Sequence, residues 1–214
     1  MSTTKVLLAD SQRMFTEGLK LLLEATGSFK VVSQCAGSAD LLQEMASLKP
    51  EILILDIAGF AEGDGLLKKI YDIDPESKVC VLTARKDPDF VYNIYRTGVS
   101  GYVLKTSESA TLFKALSVIK DGSQFIEPVL IPSLKDSIDR LESDIAGDDY
   151  SLTKRELAIL QYVANGLFNK EIAFNLGIKE KTVKNHITNL FKKIGVKDRI
   201  QAAVFAVKNG YVNL

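Results

Sequence analysis

Five short apolar runs, each followed by an amphipathic stretch of helical length, fill roughly the first 120 residues and leave few folds open to the chain. Residues 5–9 (KVLLA), 31–33, 52–55 (ILIL), 79–82 (VCVL) and 99–104 read as strands. After them, residues 14–25, 39–48, 65–71, 87–96 and 108–120 carry the helical period, and in the first of these Phe15, Leu19, Leu22 and Leu23 fall at helical spacing. Asp87 before Pro88 has the form of an N-cap with proline at the first helical position. Strands that are apolar along their whole length belong to a parallel sheet covered on both faces, and short connections between such strands cross right-handed. The expected architecture is α/β, a (βα)5 doubly wound parallel sheet.

The rest of the chain changes character twice. Residues 128–150 open with Pro128 and Pro132, close at Gly147 with Asp148 and Asp149, and space Leu134, Ile138, Leu141 and Ile145 as a two-heptad apolar seam on an acidic helix. Two heptads are short for a coiled coil, so packing within the chain and packing on a second copy both stay open. From residue 151 the pattern is all helical. Thr153 with Glu156 forms a capping box before Leu157, Leu160, Val163 and Ala164, Gly166 ends that helix, and Gly177 ends a short helix over residues 169–176. Two further helices are expected over residues 180–194 and 198–209. The expected division is residues 1–127, a linker helix over 128–150, and a small all-α domain over 151–214.

Charge divides along the same lines. The chain is formally neutral, yet residues 1–127 carry net −3, residues 128–150 net −4 and residues 151–214 net +7. A basic end on a neutral chain is the signature of contact with a polyanion, although a solvated surface accounts for it equally well at this point. Hydrophobic residues make up 46% of the chain, which excludes a disordered polymer. Cys35 and Cys80 lie in apolar stretches and are expected as buried, reduced thiols; with a single histidine, His186, they exclude zinc clusters of four ligands. No apolar run approaches the roughly 18 residues of a membrane helix. The N-terminal MSTTKVLLAD enters a strand directly, unlike a secretory signal, so no membrane contact and a cytoplasmic location are expected.

In an open parallel sheet, ligands gather beyond the carboxyl ends of the strands. Asp10, Asp56, Thr83 and Lys105 end the first, third, fourth and fifth strands, so two carboxylates, a hydroxyl and an ammonium are expected at one rim. Two carboxylates suit a hard divalent cation such as Mg2+, and a lysine and a hydroxyl opposite them suit a phosphoryl group. With KVLLADS, ILILD, VLTA and GYVLKT in these places, residues 4–122 resemble the receiver domain of two-component response regulators, a flavodoxin-like fold. The resemblance implies Asp56 as phosphoacceptor and Thr83, Tyr102 and Lys105 as the switch set. It also implies Asp10, Asp56 and the carbonyl of Ala58 as Mg2+ ligands. Two departures stand out. Ser11 occupies the place of a second acid, and residues 57–65 (IAGFAEGDG) lack a Met-Pro step, so weaker metal binding is expected.

The helix over residues 180–194 has Val183, Ile187, Leu190, Phe191 and Ile194 on one face and Lys181, Lys184, Asn185, Thr188 and Lys192 on the other. Lysine, amide and hydroxyl groups on one helical face match DNA phosphates and base edges. The string from LTKREL through NKEIA, LGI, KTVKNH and QAA resembles the LuxR-type helix-turn-helix. That resemblance implies a recognition helix with Lys184, Asn185 and Thr188 near base edges, and Asn169, Lys170, Lys181 and Thr182 toward phosphates. It also implies a dimer contact through the last helix. Phe168 stands where the family has a small polar residue, and His186 points toward the core side.

Receiver plus LuxR-type module is the arrangement of NarL/FixJ-type response regulators. The resemblance implies a transcription regulator that binds double-stranded DNA, not an enzyme, controlled by a sensor histidine kinase through Asp56 and acting as a homodimer. The alternative is a regulator that binds DNA without phosphorylation because its metal site is degenerate. An aspartate-nucleophile hydrolase requires an acid where Ala58 stands. A protein-binding antagonist without a DNA target is a further alternative. The acidic residues Asp136, Asp139, Glu142 and Asp144 are expected to screen the basic module in the off state.

Overall fold

The computed structural model describes residues 3–132, 134 and 152–212. The predicted seam residues Ile138, Leu141 and Ile145, and the four acidic linker residues, lie outside the described residues. The chain divides into two compact units, Met1–Arg85 with Asn93–Ser123, and Lys86–Tyr92 with Gln124–Leu214.

In the first unit, strands β1 (Thr4–Ala9), β2 (Phe29–Cys35), β3 (Ile52–Leu55), β4 (Lys78–Thr83) and β5 (Gly101–Leu104) pair in parallel in the order β2-β1-β3-β4-β5. Every residue of β3 and β5 is buried, as expected of strands covered on both faces. Helices α1 (Arg13–Ala25), α2 (Ser38–Leu48), α3 (Asp64–Ile73) and α5 (Ser109–Lys120) alternate with the strands, and between β4 and β5 runs α4 (Pro88–Arg96), whose residues up to Tyr92 are counted with the second unit. Asp87 Oδ1 accepts from the Phe90 backbone N–H at 3.2 Å, the cap expected before Pro88.

Strand β2 is longer than its sequence pattern indicates. It pairs with β1 through Val6↔Val31 and then Leu7↔Ser33, so Val32 is an extra residue that breaks the alternation. Because β1 lies between β2 and β3, the winding direction reverses there, and a crevice opens above the ends of β1 and β3. The residues bordering it are fixed by one more rung of the ladder. Asp10 N–H donates to Cys35 O at 3.0 Å, Asp56 N–H to Ala9 O at 2.8 Å and Lys105 N–H to Thr83 O at 2.9 Å.

In the second unit a two-residue strand, β6 (Phe125–Ile126), precedes helices α6 (Lys154–Ala164), α7 (Asn169–Leu176), α8 (Glu180–Lys193) and α9 (Arg199–Lys208). Phe125, Ile126 and Ile131 line one small void with Val163, Ile200 and Ala203, so the segment from Gln124 packs on α6 and α9. Gly166 ends the turn after α6 with φ 71°, and a side chain there would also come within 3.2 Å of Pro128. The buried residues of α9, Ile200, Ala202, Ala203, Val204 and Ala206, belong to a helix packed against α6 of its own chain. No helix among the described residues is long and apolar enough to cross a membrane.

Candidate functional site

The rim of the first unit assembles Asp10, Asp56 and Lys105 into one ionic cluster. Lys105 Nζ lies 2.6 Å from Asp10 Oδ2 and 2.5 Å from Asp56 Oδ2, with the three side chains 8%, 5% and 9% exposed in the order Lys105, Asp10, Asp56. Both contacts are short and charge-assisted, so the ammonium is shared between the two carboxylates. Burial alone would depress the lysine's pKa, but Asp10 and Asp56 outweigh it and hold the ammonium above its ordinary value. The other oxygen of each carboxylate is met by backbone. Gln12 N–H donates to Asp10 Oδ1 at 2.9 Å, and Ala58 N–H donates to Asp56 Oδ1 at 3.2 Å.

The point that both Oδ2 atoms face is therefore a cation position, which the ammonium fills. Two carboxylates are the donors a Mg2+ ion accepts from protein while it keeps several waters, so the residues fit such an ion. No group of three His, Cys, Asp or Glu side chains suited to a metal occurs among the described residues. Ser11, at the place of the second acid, lies against the turn after Asp56: a Cβ on Gly59 would be 2.8 Å from Ser11 Oγ.

Thr83 and Tyr102 converge on the backbone of a single residue, Arg85. Thr83 is fully buried and its Oγ1 accepts from Arg85 N–H at 3.3 Å, while the Tyr102 hydroxyl, on a side chain 2% exposed, donates to Arg85 O at 3.0 Å. Both hydroxyls thus hold the backbone of the β4–α4 loop. This meeting point was absent from the sequence reading, since a backbone carbonyl carries no signature in a side-chain motif.

In the second unit, α7, the turn at Gly177 (φ 64°) and α8 form the helix-turn-helix. Lys181, Lys184, Asn185, Thr188 and Lys192 are exposed on α8, as is Lys170 on α7; Thr182 is half-buried. Lys184 Nζ sits 3.4 Å from Glu180 Oε1, and the Thr188 hydroxyl donates to Lys184 O at 3.0 Å. Asn189, also exposed on α8 and four residues after Asn185, is a further polar candidate missing from the sequence reading. His186 is half-buried, in keeping with its place toward the core. Asn169 is half-buried and its Oδ1 accepts from Arg199 Nη1 at 3.5 Å. The same guanidinium donates to Leu167 O, and burial lowers its pKa to about 10. Arg199 thus ties the turn before α7 to α9, a brace that the motif string did not reveal.

The far end of α8 is anchored by Glu156. Its Oε2 accepts from Lys193 Nζ, Thr153 N–H and Thr153 Oγ1–H, each at 2.8 Å, and these partners, Lys193 foremost, pull its pKa down to about 2. A depressed carboxylate contributes stability that is present above its unfolded value of about 4.3 and is lost as pH falls through the folded value. Thermal melts between pH 6 and pH 2 are expected to show a loss for the helical unit that Glu156→Gln removes. For a partly exposed pair the difference is about 1 kcal/mol. Identical pH slopes in the two proteins would count against the anchor.

A carboxylate rim of receiver type in one unit and a basic recognition helix in the other define a class, a signal-receiving regulator that binds DNA. Residues 6–117 match the family described as response regulator receiver domain, and residues 150–206 match bacterial regulatory proteins of the luxR family. The transcriptional regulatory protein LiaR of Bacillus subtilis is 36% identical over 98% of this chain and 99% of its own. The transcriptional regulatory protein DegU of Brevibacillus brevis is 30% identical over 98% and 95%. Among solved structures, RcsB of Salmonella enterica serovar Typhimurium, bound to the promoter P1flhDC with the phosphomimetic BeF3−, is similar. Its TM-score is 0.59 at 26% identity, covering 96% of this chain and 98% of that one. The chain belongs to the response-regulator family, with a receiver domain followed by a LuxR-type helix-turn-helix, and is a DNA-binding transcription regulator of the two-component type.

Proposed function

We propose that this regulator is switched by phosphoryl transfer from a sensor histidine kinase to Asp56 and that the phosphorylated chain binds DNA in the cytoplasm as a homodimer. Residues 1–127 act as the receiver, 128–150 as the connecting helix and 151–214 as the DNA-binding domain. The observation that carries the reading is the buried Asp10–Lys105–Asp56 cluster, with Asp56 Oδ2 facing a cation and the buried Thr83 ending the adjacent strand β4. Asp10, Asp56 and the Ala58 carbonyl would hold Mg2+, which offsets charge on a phosphoryl group when bound. Lys105 supplies the protein's own counter-charge. Ser11 removes one acid from the metal site, so the ion is held more weakly than in a site with three acids.

The switch is built on Arg85. When the Thr83 hydroxyl turns to accept a place beside a phosphoryl oxygen, Arg85 N–H loses its acceptor, and the peptide whose carbonyl anchors Tyr102 is free to move. The segment that moves leads directly into α4, so a local change of charge biases a two-state element. On the DNA side, Lys184, Asn185 and Thr188 read base edges, and Lys170, Lys181, Thr182 and Lys192 face phosphates, with Asn169 held beside them by Arg199.

Intact mass and light-scattering mass after acetyl phosphate with Mg2+ test the reading. One phosphoryl group per chain and a shift from monomer to dimer are expected; Thr83→Ala is expected to take the phosphoryl group and remain monomeric. A wild-type chain that takes up no phosphoryl group overturns it.

A further inference from the structure

We propose that Phe15 is a positioning residue of the receiver site: its ring holds the Lys105 ammonium over Asp10 and Asp56, so that a divalent cation has to displace a lysine the protein keeps in place. The inference rests on the reading of Asp10 and Asp56 as cation ligands. Lys105 Nζ lies 4.8 Å from the centroid of the Phe15 ring, on a cluster whose three charged side chains are nine-tenths buried. The two carboxylates draw the ammonium from one side, and a lysine stem is flexible enough to leave them when a competing cation arrives. The Phe15 ring, within the roughly 6 Å reach of a cation–π contact, adds a third attraction that the competing cation has to overcome.

Phe15 also separates two spaces. It lines a small void together with Asp10 and Asp56, and it lines a cavity of about 330 Å³ between α1 and α5 together with Leu22, Leu104, Lys105 and Leu112. Without the ring, water from the cavity reaches the ion pairs and weakens them by raising the local dielectric. Ser11 makes such neutralisation workable. Two carboxylates and one ammonium leave one net negative charge, and a third acid would make it two and favour the divalent cation over the lysine.

The experiment uses the full-length protein without any phosphoryl donor. Phe15→Leu keeps an apolar side chain and removes the ring; Phe15→Tyr keeps the ring. MgCl2 is titrated by calorimetry, and the Lys105 methylene protons are followed by NMR in lysine-labelled protein. In Phe15→Leu the Kd for Mg2+ is expected to fall about two- to fivefold, equivalent to about 0.5–1 kcal/mol of cation–π attraction. The Lys105 signals should lose an upfield ring-current shift. Phe15→Tyr is expected to match the wild type in both. Unchanged Kd and unchanged lysine signals in Phe15→Leu overturn the proposal, as does a Phe15→Tyr chain that behaves like Phe15→Leu. If the wild type binds no Mg2+, the reading of Asp10 and Asp56 as cation ligands fails, and the lysine signals alone decide whether the ring holds Lys105.

Discussion

Lys105→Met is expected to destabilise the receiver unit by about 3–5 kcal/mol in urea unfolding without divalent cations, because it leaves two buried carboxylates with no counter-ion. The ammonium stands 2.6 Å and 2.5 Å from the two carboxylate oxygens, so its loss changes the cluster from one net negative charge to two. Asp56→Asn acts in the opposite direction. It leaves one carboxylate against one lysine, and in the Lys105→Met background it is expected to recover most of the lost stability. Millimolar Mg2+ is expected to stabilise Lys105→Met more than the wild type, since the cation position no longer holds an ammonium. The lysine's raised pKa sets the pH window. Its contribution is fully present below the unfolded lysine value of about 10.4 and is lost as pH rises through the folded value, so the measurement belongs at neutral pH. A Lys105→Met protein as stable as the wild type at pH 7 would remove the ionic cluster as the organising feature of the site.

On the DNA side, Asn185→Ala is expected to lose discrimination at one base pair, and Lys181→Ala to bind with a shallower salt dependence. Both side chains are exposed on α8, and an amide there has the donor and acceptor pair that an adenine edge requires. Removing it costs about 1–3 kcal/mol of discrimination at one base pair, roughly 5- to 150-fold in relative affinity, with non-specific binding unchanged. Lys181→Ala is expected instead to weaken all sequences alike and to reduce the slope of log affinity against log salt by about 0.9. Lys184 differs from both. Its pairing with Glu180 at 3.4 Å has to be given up on binding, so Glu180→Gln is expected to raise affinity slightly while Lys184→Ala lowers it. Fluorescence anisotropy on duplexes selected from a random pool separates the cases. Equal discrimination in the wild type and Asn185→Ala would take base reading away from this face.

Much of the site was legible because each polar residue ends an apolar strand. Asp10, Asp56, Thr83 and Lys105 follow VLLA, ILIL, VCVL and YVL, and the parallel order with β1 between β2 and β3 brings those ends to one rim. Residues that act through backbone or through ring faces left no such mark. The Arg85 backbone that meets the Thr83 and Tyr102 hydroxyls has no motif, and Phe15 reads as one more apolar position of α1. Arg199 follows the N-cap Asp198 and looks like a surface cation, yet it is consumed in bracing Leu167 and Asn169. The ends of β2 were missed because a bulge at Val32 interrupts the period of two on which strand reading depends.

The central claim, that phosphorylation of Asp56 controls DNA binding, is tested most directly by operator affinity with and without beryllofluoride and Mg2+, in the wild type and in Asp56→Asn. Duplex obtained by selection with the full-length protein serves as the probe. A beryllofluoride-dependent gain of tenfold or more, about 1.4 kcal/mol, is expected in the wild type and none in Asp56→Asn. Equal affinity of the wild type with and without beryllofluoride, at a Mg2+ concentration shown by calorimetry to saturate the site, would contradict it.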